Sequence, residues 1–189
     1  MKNIKIKDII IMALCLAIII ICSKISFNIG VIPITLQTFS VFICSLILGS
    51  KKSAIVFLTY IVLGLIGIPV FSSGGGFHYV FSPSFGFIVG FFFASIVVGI
   101  ASNSKKFYLK YILGVVGLLI INLCGVIHMY LMFNYYMNNA KSLLAVLQIG
   151  VAPFIIKDLF IVILSCIIYS RLAPIINKEN YNNIEYINV

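Results

Sequence analysis

Long apolar runs separated by short polar breaks dominate this chain. Charged residues and segments with glycine or proline divide it into six apolar stretches, at about 8–27, 36–50, 53–69, 84–101, 108–134 and 150–173. A helix needs roughly 20 apolar residues to cross a hydrocarbon core about 30 Å thick. The pattern therefore predicts an all-α integral membrane protein with six transmembrane helices, in which the second and third form a tight hairpin.

Composition supports a lipid environment for most of the chain. Of 189 residues, 62% are hydrophobic and 9% are charged, and the mean hydropathy is +1.22. A soluble domain needs many more charged residues to cover its surface. The net charge of +9 does not indicate nucleic-acid binding, because the basic residues punctuate apolar runs and do not cluster on a hydrated face.

The basic residues predict the orientation in the membrane. With a cytoplasmic N-terminus, ten of the thirteen lysines and arginines fall in the predicted inner segments, as the positive-inside rule requires. Both termini are then cytoplasmic. Residues 1–176 form a single six-helix domain, and 177–189, which lack apolar periodicity, are expected to be a disordered cytoplasmic tail.

This orientation brings the unusual segments, 32–38 and 72–84, to the predicted outer face. They mix glycine, aromatic and hydroxyl side chains. Such segments can contact a small amphipathic ligand through backbone groups and ring faces. We expect the chemistry of the protein to lie on this side.

Asp158 is the only acidic residue within the predicted spans, and Lys157 stands beside it. Adjacent helical residues point about 100° apart, so we expect no good ion pair between these two. In one interpretation Lys157 extends to the interface and Asp158 bonds to a neighbouring helix. In the other, both line an outward-opening cavity, because an acid at membrane depth is a candidate functional residue.

Neither histidine suggests a metal site or a catalytic centre. His78 and His128 have no second His, Asp or Glu at helical ligand spacing, and one acid with two scattered histidines is too little for a membrane enzyme. We expect no cofactor. His78 is expected to cap a loop or touch a ligand, His128 to pack and hydrogen-bond inside the bundle, and Asn122 to meet a partner helix or the cavity.

Three sequence runs occur in an order that resembles a known family. They are Ile-Pro-Ile-Thr-Leu-Gln-Thr-Phe at 32–39, Leu-Gly-Leu-Ile-Gly-Ile-Pro-Val-Phe at 63–71 with a glycine tract at 74–76, and Pro-Ser-x-Gly-Phe-x-x-Gly-Phe at 83–91. Over about 8–175 the chain resembles the BioY family, the biotin-binding S components of energy-coupling factor (ECF) vitamin transporters.

The resemblance implies a transport mechanism in the plasma membrane of a bacterium. An S component captures biotin from outside and docks on a transmembrane T component driven by two cytoplasmic ATPases. The usual docking face is a pair of small residues on the first helix, matched here by Ala13 and Ala17. The chain has no G-x-x-x-x-G-K-[ST] motif for ATP, and it is not expected to be an enzyme.

Biotin has ureido N–H groups that suit a carboxylate, apolar rings and chain that suit aromatic side chains, and a carboxylate that suits a cation. Glycines permit close approach of the backbone. The candidate biotin-binding residues are Asp158, Lys157, Phe77, Tyr79, Ser82, Gln37, Gly75 and Gly76.

The chain departs from the family pattern at two places. The last helix usually begins Pro-Gly-Asp-x-x-Lys, whereas here Lys157 replaces the glycine and Ile161 stands at the lysine position. Residues four apart share a helix face, so we hypothesise that Lys157 supplies the cation. Phe85 and Phe87 stand where glycine and tyrosine are usual. The alternatives are an S component for another vitamin or a biotin relative, and a membrane bundle with no transport role.

Overall fold

The computed structural model describes residues 5–28, 32–104 and 106–185, which form a bundle of six α-helices. Short 3₁₀ turns occupy Phe77–Phe81 and Ile100–Asn103, and a π-helical turn occupies Met132–Tyr136. The helices and strands are α1 (Ile6–Lys24), β1 (Ser26–Asn28), β2 (Pro33–Thr35), α2 (Gln37–Leu65), α3 (Phe85–Gly99), α4 (Phe107–Leu131), α5 (Leu143–Gly150) and α6 (Ile155–Glu185).

Helix α2 folds back on itself at Gly49. This residue has φ 74° and ψ 167°, a conformation that glycine adopts without steric cost. The side chains of Gln37 and Tyr60 meet at 2.8 Å, although in a straight helix residues so separated would lie roughly 35 Å apart. The halves 37–48 and 50–65 therefore form the hairpin that the sequence predicts.

Apolar side chains fill the bundle and also cover its outside. The main core joins α1, α2, α3, α4 and α6. On α4, the exposed Leu119, Leu123 and Ile127 recur every four residues, so they share one helix face. An exposed apolar stripe of this kind is expected of a helix that faces lipid.

Four described helices are long and apolar enough to cross a membrane, or five if the bent pair α5 and α6 is one span. Helix α2 is counted once among them although it folds back. The predicted total of six spans stays a prediction.

The predicted last span, 150–173, corresponds to the first part of α6, and a short helix, α5, precedes it in the segment between the predicted spans. Helix α5 begins at Leu143, and the Oγ of its N-cap residue, Ser142, accepts a hydrogen bond from the backbone N–H of Ala145. Pro153 lies in the turn between α5 and α6, and the two helices meet at 47°. A residue that precedes proline is disfavoured in helical geometry, which explains why the chain bends here.

Helix α6 continues through the segment predicted to be a disordered tail. The backbone of 177–185 is helical up to Glu185, and the disorder of the tail stays a prediction. The rest of the predicted tail, 186–189, lies outside the described residues.

The predicted inner and outer segments gather at opposite ends of the bundle. At one end Lys52 pairs with Asp8 at 2.7 Å, and Tyr169 donates a hydrogen bond to Ser102 O. At the other end, segments 32–38 and 72–84 meet the start of α6 around one cavity. The ends are thus separated as predicted, while the cytoplasmic position of the termini stays a prediction.

Candidate functional site

A cavity opens at the end of the bundle where β2, α3, α4 and α6 come together. It encloses about 550 Å³ of empty space, with its open mouth included. Its walls combine apolar and polar side chains. The polar residues of the wall are Thr35, Gln37, Thr38, Ser72, Tyr79, Ser84, Asn122, Lys157 and Asp158.

The first turns of α6 bring a buried carboxylate to this cavity. Asp158 is 6% exposed, and its Oδ1 lies 2.9 Å from Lys157 Nζ. The expectation that these neighbours make no close ion pair was therefore wrong, because the long lysine side chain folds back to reach the acid. The contact lacks hydrogen-bond geometry, however, and Oδ1 makes no hydrogen bond to any described residue.

Lys157 also ties α6 to the strand hairpin across the cavity. Its Nζ donates a hydrogen bond to the backbone oxygen of Thr35 at 3.1 Å. The side chain is about one-third exposed, and both Lys157 and Asp158 line the cavity. This placement agrees with the second interpretation of the pair, in which both residues line a cavity.

Hydrogen bonds hold two further predicted residues in the wall. Gln37 Nε2 donates to Tyr60 OH, and Thr35 Oγ1 donates to Gln37 Oε1 at 3.1 Å. The hydroxyls of Tyr79 and Ser72 lie 3.1 Å apart, and the Tyr79 ring packs against Phe71. These contacts leave Gln37 and Tyr79 with little freedom to turn.

The other four predicted residues lie outside the cavity walls. Ser82 pairs with Ser84, Oγ to Oγ, at 2.9 Å, one layer behind the wall. Phe77 is 68% exposed. A Cβ at Gly75 would overlap Ile68 O, and the N–H of Gly76 bonds to Gly64 O at 2.7 Å. The glycine tract thus packs on the end of α2.

Sequence reasoning overlooked several wall residues. Phe91 and Phe154 supply ring faces, and Thr38, Ser72 and Ser84 supply hydroxyls. Thr38 and Ser84 belong to the family-like runs, so those runs could have indicated them. Phe154 stands one helical turn before Asp158, but aromatic residues are too common in this chain for that spacing to single it out.

The positions where the chain departs from the family pattern have different surroundings. Ile161 is buried and lies outside the cavity wall. Phe87 lines the cavity, whereas Phe85 packs against the rings of Phe71 and His128. Of the two phenylalanines, only Phe87 narrows the cavity directly.

The remaining polar candidates are placed as follows. Asn122 reaches the cavity and donates to Leu118 O in its own helix. His78 is exposed. His128 packs as predicted, but its buried Nδ1 makes no hydrogen bond within the described residues, which corrects that part of the prediction. Within 5–28, 32–104 and 106–185, no cluster of three or more His, Cys, Asp and Glu side chains could hold a metal ion.

Ala13 and Ala17 lie on the exposed side of α1. The buried side of that helix carries Cys15, Ile19 and Cys22. The two alanines are therefore free of contacts that would bury them in the bundle, and they form a shallow strip between larger exposed side chains such as Leu14 and Ile21.

A model of the BioY family matches residues 1–178. The chain belongs to the BioY family. Among BioY relatives, the probable biotin transporter BioY of Lysinibacillus sphaericus is 31% identical over 173 residues, which cover 89% of this chain and 87% of the relative. The biotin transporter BioY of Thermotoga maritima is 32% identical over 161 residues, covering 84% and 91%.

A solved structure extends the BioY comparison to the fold. The crystal structure of the S-component for biotin from an ECF-type ABC transporter matches with a TM-score of 0.79 and 26% identity, over 92% of this chain and 94% of that one. The predicted S-component fold and membrane location are thereby confirmed. These BioY relatives are transporters, in agreement with the expectation that the chain is not an enzyme.

Proposed function

We propose that this chain is a biotin-binding S component, which captures biotin in the cavity from outside the cell and delivers it inward with a T component and two ATPases. The observation that carries the proposal is the carboxylate of Asp158. Its Oδ1 is buried in the cavity wall, lies 2.9 Å from the Lys157 ammonium and makes no hydrogen bond to any described residue. Oδ1 therefore has lone pairs that can accept a ligand N–H.

The spacing of Asp158 and Lys157 selects the ligand group that they hold. Oδ1 and Nζ lie 2.9 Å apart, so they reach the same end of a ligand. A ureido ring offers an N–H donor directly beside a carbonyl acceptor. Asp158 would accept the N–H and Lys157 would donate to the carbonyl oxygen, which revises the hypothesis that Lys157 holds the biotin carboxylate.

The apolar part of the wall suits the rest of the molecule. Phe87, Phe91 and Phe154 line the cavity beside the Tyr79 ring. A thioether ring and an alkyl chain gain burial against such side chains, and sulfur makes favourable contacts with aromatic rings. A ligand with one polar ring end and an apolar body fits both halves of the wall.

Docking on a T component is supported by the surface of α1. Ala13 and Ala17 are exposed, and small residues four apart allow another helix to approach closely. The sequence contains no phosphate-binding loop of the ATPase type, so the energy for transport would come from partner proteins.

Equilibrium binding tests the proposal directly. The purified chain, in detergent and in lipid nanodiscs, is titrated with radiolabelled biotin, and unlabelled desthiobiotin, lipoate, thiamine and riboflavin serve as competitors. We expect saturable binding that biotin displaces best. Saturable binding of a different vitamin would favour the alternative S-component function, and the absence of any saturable binding would leave only a bundle with no vitamin-capturing role.

A further inference from the structure

Tyr60 lies outside the cavity but contacts one of its wall residues. It is fully buried on the second half of α2. Its hydroxyl oxygen lies 2.8 Å from Gln37 Nε2 and 3.1 Å from Val70 O. Tyr60 therefore connects the amide in the wall to a backbone carbonyl in the loop after α2.

Counting protons gives the direction of the two hydrogen bonds that link Gln37, Tyr60 and Val70. Tyr60 donates its single phenol proton to Val70 O, which can only accept and which also accepts from Ser23 Oγ at 2.6 Å. The phenol oxygen then has only lone pairs left for Gln37, which must present its NH₂ group. The reverse orientation would set the amide oxygen against the phenol oxygen, with no proton between them.

The contact at the other end of the amide agrees with this orientation. Thr35 Oγ1 accepts the backbone N–H of Gln37 at 3.3 Å. Its own proton is then free for Gln37 Oε1, which lies 3.1 Å away. An amide oxygen has two lone pairs, so one remains after Thr35 has donated. Gln37 and Thr35 both line the cavity, so the amide belongs to the cavity wall.

We propose that Tyr60 is a positioning residue for ligand selection, which holds the Gln37 amide with its oxygen towards the cavity and so makes the site prefer ligands with N–H donors. This inference rests on the proposed function and deepens it. Gln37 Oε1 and Asp158 Oδ1 would be two acceptors for the two N–H groups of one ureido ring. If the amide were reversed, Gln37 would present its NH₂ group to the cavity, and the site would favour a ligand carbonyl over a ligand N–H at this position.

Two biotin analogues, each methylated at one ureido nitrogen, test this inference. The measured quantity is the ratio of the dissociation constant of each analogue to that of biotin, for the wild-type chain and for Tyr60→Phe. Both ratios are expected to be large in the wild type. In Tyr60→Phe the amide loses its anchor, so one ratio should fall about tenfold, the value of one hydrogen bond. The other ratio, which depends on Asp158, should hold.

Tyr169→Phe is the matched control. Tyr169 is also a buried tyrosine whose hydroxyl donates to a backbone carbonyl, that of Ser102, but it lies at the opposite end of the bundle. Its loss should lower the melting temperature and leave both ratios unchanged. A general loss of packing in Tyr60→Phe would weaken biotin and both analogues alike, and such a result would overturn the positioning role.

A second variant covers the case in which Tyr60→Phe does not fold. Gln37→Leu removes the amide, so the ratio that depends on Gln37 should fall about tenfold while the ratio that depends on Asp158 stays unchanged; if neither ratio falls, the cavity-facing atom of Gln37 is not an acceptor and the inference is wrong. Absence of biotin binding to the wild-type chain would instead contradict the proposed function. Wild-type binding together with an unchanged pair of ratios in Tyr60→Phe would contradict the inference alone.

Discussion

The ammonium of Lys157 lies 2.9 Å from Oδ1 of Asp158, its neighbour in sequence. The two side chains leave the helix in different directions, but the four-carbon stem of lysine is long enough to bring its charge alongside the acid. A donor and an acceptor so close together act on one end of a ligand. Lys157 could therefore donate to the ureido carbonyl or bind the biotin carboxylate, and these two roles predict different effects of its removal.

Replacing Lys157 with alanine should weaken biotin about tenfold, because it removes a charged donor to the ureido carbonyl. Biotin amide, which has no carboxylate, should lose affinity by the same factor. Isothermal titration calorimetry with both ligands measures this, and Lys141→Ala is the control, since Lys141 packs over Phe133 away from the cavity.

A different response of the two ligands would support the hypothesis that Lys157 binds the biotin carboxylate. If Lys157→Ala weakens biotin but not biotin amide, the lysine holds the carboxylate. If neither ligand is affected, Lys157 serves only to join α6 to Thr35, and any cation for biotin lies elsewhere.

Asp158→Asn should weaken biotin by roughly one to two orders of magnitude, since hydrogen bonds to charged groups contribute about 1.5–3 kcal/mol. The substitution preserves shape and removes charge. Equilibrium dialysis is the measurement. Asp8→Asn removes an acid at the far end of the bundle, where it pairs with Lys52, and should leave the affinity unchanged. Equal affinities for Asp158→Asn and wild type would remove Asp158 from the site.

Gly75→Ala should lower the melting temperature of the ligand-free chain. A methyl group there would overlap Ile68 O, and forcing such an overlap costs about 1–3 kcal/mol. Ser73→Ala, at an exposed position in the same loop, should have almost no effect. A large loss of biotin affinity in folded Gly75→Ala, with unchanged stability, would instead indicate direct contact between the glycine tract and the ligand.

Tryptophan at Ala13 and Ala17 should block assembly but not capture. A large ring on this exposed strip of α1 prevents close helix approach, so co-purification with a T component and biotin uptake by cells should fall. Biotin binding to the isolated chain should stay normal. Ile112→Trp, at an exposed position on α4, is the control. Normal assembly of the double variant would mean that docking uses another surface.

Sequence reasoning succeeded where one physical constraint dominated. The polar break at Ser50, Lys51 and Lys52 could not lie inside a membrane helix, so the hairpin followed from the sequence. Sequence reasoning missed α5, because an apolar helix of eight residues is too short to stand out as a membrane span. Its start depends on the cap at Ser142, and the bend before α6 depends on Pro153. Polarity was sufficient to identify Asp158 and Asn122 as cavity candidates.

The reach of long side chains and the packing of the glycine tract were harder to predict from the sequence. Helical direction correctly separates Lys157 from Asp158 at their Cβ atoms, but the rotamer that closes the gap depends on Thr35, which is 122 residues away. A glycine tract allows close approach without specifying what approaches. In Gly75 and Gly76 the partner is the end of α2, a tertiary contact that no local pattern encodes.

The turn at Gly49 also affects how the protein fits its membrane. The half-helix 37–48 is only about 18 Å long and 50–65 only about 24 Å, against a hydrocarbon core of about 30 Å. Beside this hairpin the hydrophobic length of the protein falls short of the bilayer, and such a mismatch is met by local thinning or by long side chains that reach the headgroups. Lys51 and Lys52 follow the turn directly, so bilayer thickness becomes a physical variable for this protein.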